Sequence, residues 1–186
     1  LLILIISLIK PGDESYLPPS LEFLKVNIAS KLDWGKLPKR LKTLQMGTAT
    51  LPTVQTVKQL PPTLIEFSIV QQSSDEVNTA LKELAWPETL QILRLPGFKH
   101  PVDVADAQSL PRGLISLILP DVQEFEDLAV EYLPRNLETL AVKMARFSRN
   151  LCFSHLPRTL TFLDPSSMVS VKSKDVPNLP RGLKTL

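Results

Sequence analysis

Eight times along the chain, at Leu17, Leu37, Leu60, Trp86, Leu110, Leu133, Leu156 and Leu179, an apolar residue followed by proline opens the pattern Leu-Pro-x-x-Leu-x-x-Leu, with Trp86 replacing the first leucine in one unit. The starts lie 20, 23, 26, 24, 23, 23 and 23 residues apart. A recurrence of this length implies a stacked array, because one such unit cannot bury its own apolar side and must lean on its neighbours. Two residues beyond the last leucine a third apolar position recurs as Val26, Met46, Ile69, Leu95, Leu119 and Val142, and fails at Pro165. Projected back by one period, the same three positions fall on Leu1, Leu4 and Ile6, so nine repeats are represented and residues 1–186 read as a single array. Both ends of the chain fall inside a repeat, as though cut from a longer array.

The spacing dictates the local structure. The last two apolar residues of Leu-x-x-Leu-x-Leu alternate with a variable one, which describes a short strand buried on one face. Proline has a fixed φ and no amide hydrogen, so it suits the turn into the strand and no central ladder position. Repetition of this turn uses eight of the 17 prolines in 186 residues, a content nearly twice the usual share of about 5%. Consecutive strands must pair in parallel about 4.8 Å apart, and the residues between motifs must form the return path. The expected fold is therefore an α/β solenoid with a curved parallel sheet of about nine short strands and irregular or short helical return segments. Each repeat contributes three or four buried side chains of leucine type, each stabilising the stack by roughly 1.5 to 3 kcal/mol. Among the returns, Ser74 followed by Asp75 and Glu76, with Val77, Leu81 and Leu84 at helical spacing, predicts a helix over about 75–85. A turn of helix is expected near 102–108 and near 124–130. The 20-residue repeat from Leu17 to Leu37 has room only for an extended or 3₁₀ return.

Composition narrows the function. The chain carries 21 basic and 19 acidic residues, net +2, and their intermingling gives no overall case for nucleic acid or a membrane surface. The apolar start, Leu1 to Ile9, lacks a basic flank, a cleavage site and the about 20 residues needed to span a bilayer. One cysteine, Cys152, excludes an internal disulfide framework and fits a reducing, cytoplasmic setting. No catalytic, cofactor-binding or metal-binding constellation is evident. The two histidines, His100 and His155, fall in return segments of different repeats, Cys152 reads as a small buried apolar residue, and Trp34 and Trp86 read as packing of the returns.

The repeating unit resembles the leucine-rich-repeat superfamily. Its Leu-Pro opening is similar to FNIP-type repeats, with Gly97-Phe98-Lys99-His100-Pro101-Val102 and Phe147-Ser148-Arg149-Asn150-Leu151 resembling the second half of that unit. It is also similar to the Leu-Pro repeats of bacterial effectors. The asparagine that ladders the turn after the strand in the superfamily is replaced here by Ala29, Ala49, Gln72, Phe98, Val122, Ala145 and Met168, which weighs against the effector type. The resemblance implies a binding surface on the outer face of the sheet.

Two surfaces are candidates for partner binding. On the sheet face, Ile92, Ser116, Thr139 and Phe162 precede the second leucine of their motifs, and Arg94 and Ile118 follow it. The mixture carries no run of one charge and suits a protein partner, although an ordinary solvated sheet would look the same. At the residue after the proline, Arg112, Arg135, Arg158 and Arg181 form a ladder in four consecutive repeats. Guanidiniums about 5 Å apart repel by up to roughly 1 kcal/mol per pair in water. The ladder either binds an acidic partner or is a solvated corner paired with carboxylates of Asp121, Glu124, Glu126, Asp127 and Glu131. The expected function is a non-catalytic protein-interaction scaffold, with no cofactor and no small-molecule substrate. The alternatives are the substrate-recognition arm of a larger enzyme of kinase or ubiquitin-ligase type, and a purely structural array.

Overall fold

A computed structural model describes residues 1–29, 32–49, 53–72, 79–142, 153–164 and 176–185. Eight strands form one open parallel sheet: β1 (Ile3–Ile9), β2 (Phe23–Ala29), β3 (Thr43–Ala49), β4 (Glu66–Gln72), β5 (Ile92–Arg94), β6 (Ser116–Leu119), β7 (Thr139–Val142) and β8 (Phe162–Asp164). They lie side by side in chain order. Among the described residues the ninth repeat adds a single parallel bridge, Thr185 opposite Phe162, so eight strands are seen where about nine were expected. The register matches the sequence period rung by rung: Leu44 faces Phe67, Phe67 faces Leu93, Leu93 faces Leu117 and Leu117 faces Leu140. All five side chains are buried.

The proline corner has a uniform geometry. In all eight Leu-Pro units the leucine amide three residues after the proline donates to the proline carbonyl, from Leu21 to Pro18 through Leu183 to Pro180, at 2.9–3.2 Å. Proline thus opens a β-turn whose two central residues are the variable pair, and the chain leaves it directed into the strand. Threonine in the second central position ties neighbouring turns together. The Thr63 hydroxyl lies 2.8 and 2.9 Å from the carbonyls of Lys39 and Leu41, and Thr89 and Thr159 repeat the arrangement on Pro62 and Leu64 and on Arg135 and Leu137.

The returns pack behind the sheet in one continuous apolar core with the strand leucines. Two contain short α-helices, α1 (Val54–Val57) and α2 (Val104–Ser109). Six others hold 3₁₀ turns, at Asp13–Tyr16, Trp34–Lys36, Leu81–Glu83, Asp127–Tyr132, Phe153–His155 and Val176–Asn178. The helix expected over 75–85 is corrected here. Its described part holds only the 3₁₀ turn Leu81–Glu83, with Leu81 and Leu84 buried three residues apart, a spacing that one 3₁₀ turn satisfies; residues 75–78 lie outside the described residues. The turns expected near 102–108 and 124–130 appear as α2 and as the 3₁₀ segment Asp127–Tyr132, and the short repeat returns through the 3₁₀ turn Trp34–Lys36.

Trp34 and Trp86 pack behind the sheet, as expected, on either side of Phe67, with ring centroids 5.4 and 5.7 Å from it. The Trp86 Nε1 is buried with no hydrogen-bond partner, which costs about 1–3 kcal/mol and accompanies its substitution for the usual leucine. Phe98 and Val122, at the position where an asparagine ladder would stand, are buried instead in apolar packing.

Candidate functional site: the outer sheet face and the basic corner

Alternation along each strand sends the leucine rows inward and leaves the variable rows on the opposite face. There Ile92, Ser116, Thr139 and Phe162 line up as one row and Arg94, Ile118, Ala141 and Asp164 as the next, each residue opposite its counterpart in the adjacent strand. Arg94 is exposed, while Ile92, Ser116, Ile118, Thr139 and Phe162 are half-buried by their neighbours. The sequence candidates on the sheet are thus brought together on one surface. Earlier strands present a polar cluster that the sequence did not disclose: the Glu66 carboxylate accepts from Gln45 Nε2 at 2.8 Å and from Ser68 Oγ at 3.1 Å. Beyond it the face becomes apolar at β1, where Ile3 and Ile5 are 52% and 64% exposed.

The four arginines lie at the turn, four residues ahead of the rung that runs Ser116, Thr139, Phe162, Thr185. Because that rung is in register and the turns share one hydrogen bond, the arginines hold equivalent positions, and all four are exposed. Arg112 donates to the Tyr132 carbonyl at 3.3 Å, and Arg135 donates to the carbonyls of His155 at 3.4 Å and Glu131 at 2.8 Å. These carbonyls sit at 3₁₀ turns, where cationic side chains commonly satisfy orphan acceptors. Among the described residues, none of the four arginines has a carboxylate within 4.0 Å. Three of the carboxylates offered by the sequence are directed elsewhere: Asp121 accepts from the Gly97 amide, Glu126 from the Val104 amide, and Glu131 lies 2.8 Å from His155 Nδ1; the Asp127 side chain lies outside the described residues. Arg112 and Arg135 thus bond to backbone carbonyls and not to the carboxylates of Asp121, Glu126 or Glu131.

His155 and His100 are both engaged locally, the first with Glu131 and the second with its Nδ1 2.7 Å from the Pro101 carbonyl. Cys152 and Phe147 through Leu151 lie outside the described residues. Among the described residues no group of three His, Cys, Asp or Glu side chains is arranged to hold a metal ion, and no helix is long and apolar enough to cross a membrane. Two carboxylates that the sequence reading passed over are buried. Glu14 accepts from the amides of Gly12 and Asp33 at 2.7 and 2.8 Å, and Asp106 accepts from the Lys82 amide at 2.8 Å and the Asp103 amide at 3.0 Å. Both tie one return segment to the next, so they belong to the scaffold and not to a site. Comparison with protein-family models and with curated proteins returned no match.

Proposed function

We propose that the chain is a leucine-rich-repeat array of the Leu-Pro type similar to FNIP repeats, acting as a non-catalytic scaffold that binds a protein partner on its outer sheet face. The supporting observation is the grouping of Ile92 and Ile118 around exposed Arg94, while the described return segments pack behind the opposite, leucine-lined face. Half-buried aliphatic side chains around a cation suit a partner that offers an apolar side chain beside a carboxylate. The short, hydrogen-bonded strands hold these side chains in fixed positions, which reduces the ordering cost of binding. A reducing compartment is consistent with the single cysteine.

A photo-cross-linking residue placed at Ser116 or Thr139 tests this reading in the native extract. The expected result is one reproducible protein adduct from the sheet positions that is absent when the same residue is placed at Gln108 or Gln123 on the return side, and that is lost in I92D/I118D. Adducts that form equally from both sides, or persist in the double variant, would remove the sheet face as the binding surface.

A further inference from the structure

We propose that Arg112, Arg135, Arg158 and Arg181 form a docking row for an α-helix of a partner protein that carries an acidic stripe and lies along the stacking direction. The inference concerns the corner and stands apart from the sheet-face reading. Three observations carry it. The four arginines are exposed at equivalent turn positions and have no carboxylate within ion-pair distance among the described residues. Arg112 and Arg135 each reach the carbonyl of a residue 20 positions further on, in the next repeat, and Arg135 also donates to the Glu131 carbonyl beside its own turn, so both side chains are anchored before any partner arrives. Each guanidinium has five N–H groups, and these bonds leave most of them free for a carboxylate.

Spacing selects the partner's conformation. Four rungs about 4.8 Å apart span about 14 Å. Carboxylates one helical turn apart recur about every 5.4 Å and cover about 16 Å over three turns, within reach of flexible arginine side chains. Same-face residues of an extended strand recur about every 6.8 Å and cover about 20 Å, so they fall out of step by a full rung. Single-stranded nucleic acid would call for a run of aromatic platforms along the row, whereas within three positions of these arginines the described residues offer only the exposed rings of Tyr132 and His155, the latter engaged by Glu131. The row is bounded on one side by Glu88, which occupies the same turn position in the repeat before Arg112. The acidic stripe should therefore end at that rung.

The experiment uses fluorescence anisotropy with the 186-residue chain and labelled peptides of about 15 residues, with glutamates at i, i+4, i+7 and i+11 on one helix face. An isomeric peptide scatters the same glutamates around the helix. The striped peptide should bind at least about tenfold more tightly than its isomer, and R135E/R158E should weaken it by about tenfold or more. R112Q/R181Q should produce a smaller loss, and Lys39→Glu, outside the row, should change nothing. Binding should weaken between about 50 and about 200 mM salt. Far-UV circular dichroism confirms that the variants are folded. Equal binding of the two peptides, retained binding by R135E/R158E, or stronger competition by an oligothymidylate of the same charge would each overturn the proposal.

Discussion

Gly47 in β3 lies tight against the backbone of Asn27 in β2. A Cβ built there would sit 2.9 Å from the Asn27 Cα and closer still to the Asn27 carbonyl oxygen, both of them backbone atoms that no side-chain rotation can move aside. Glycine is needed at such an approach because any side chain forces the strands apart. Gly47→Ala should therefore destabilise the chain by about 1–3 kcal/mol, read as a lower urea midpoint. Thr159 makes a different point at the same scale. Its hydroxyl bridges two carbonyls of the preceding turn, and Thr159→Val, which keeps the shape and removes the hydroxyl, should cost about 1 kcal/mol by the same measurement. Thr63, Thr89 and Thr159 share one turn position, but the sequence did not disclose the bonds they make, because a side chain bonding to backbone leaves no second residue type to recur. The same reason hid the carbonyls that receive Arg112 and Arg135.

At the scale of elements, the return turns are too short to satisfy their own first amides, and carboxylates of neighbouring repeats complete them. Asp106 serves α2 and the turn at Leu81 together, so Asp106→Ala should lose about 2 kcal/mol or more, and Asp106→Asn, which keeps one acceptor oxygen, should lose less. Asp103 caps α2 and its carboxyl is held below the ordinary carboxylate range, first by the hydrogen bond from the Lys82 ammonium, 2.6 Å away, and then by the Asp106 amide. A carboxyl whose folded pKa is depressed stabilises the native state above its unfolded value of about 3.9, and that contribution fades as pH falls through the folded pKa. Asp103→Asn should thus flatten the fall in stability below about pH 4, with a modest amplitude because the pair is exposed. The sequence disclosed where returns occur and how much room they have. It did not disclose whether Leu81 and Leu84 belong to an α-helix or a 3₁₀ turn, since both residues are buried in either case. Nor did it reveal Glu14, which occupies the position held by Trp34, Val57 and Phe153 in other repeats and is buried because two amides, not apolar atoms, receive it.

Across the whole molecule, the leucine rows were legible because every rung repeats one choice of residue, whereas the outer face varies from rung to rung and only its position could be read. Phe67 joins the sheet to the returns between Trp34 and Trp86, and Phe67→Ala should cost about 3–5 kcal/mol in urea unfolding. The same variant should shift tryptophan emission to longer wavelength as water reaches the two indoles; an unchanged spectrum would contradict their packing against Phe67. The strands pair only with the units before and after them in chain order, and spacings from 20 to 26 residues are absorbed on the return side. An in-frame duplication or excision of one whole period would therefore add or remove a slab about 4.8 Å thick while leaving the remaining joints chemically unchanged. Such a molecule can be lengthened or shortened by inheritance in fixed increments, and its reach can be altered without redesigning any one layer.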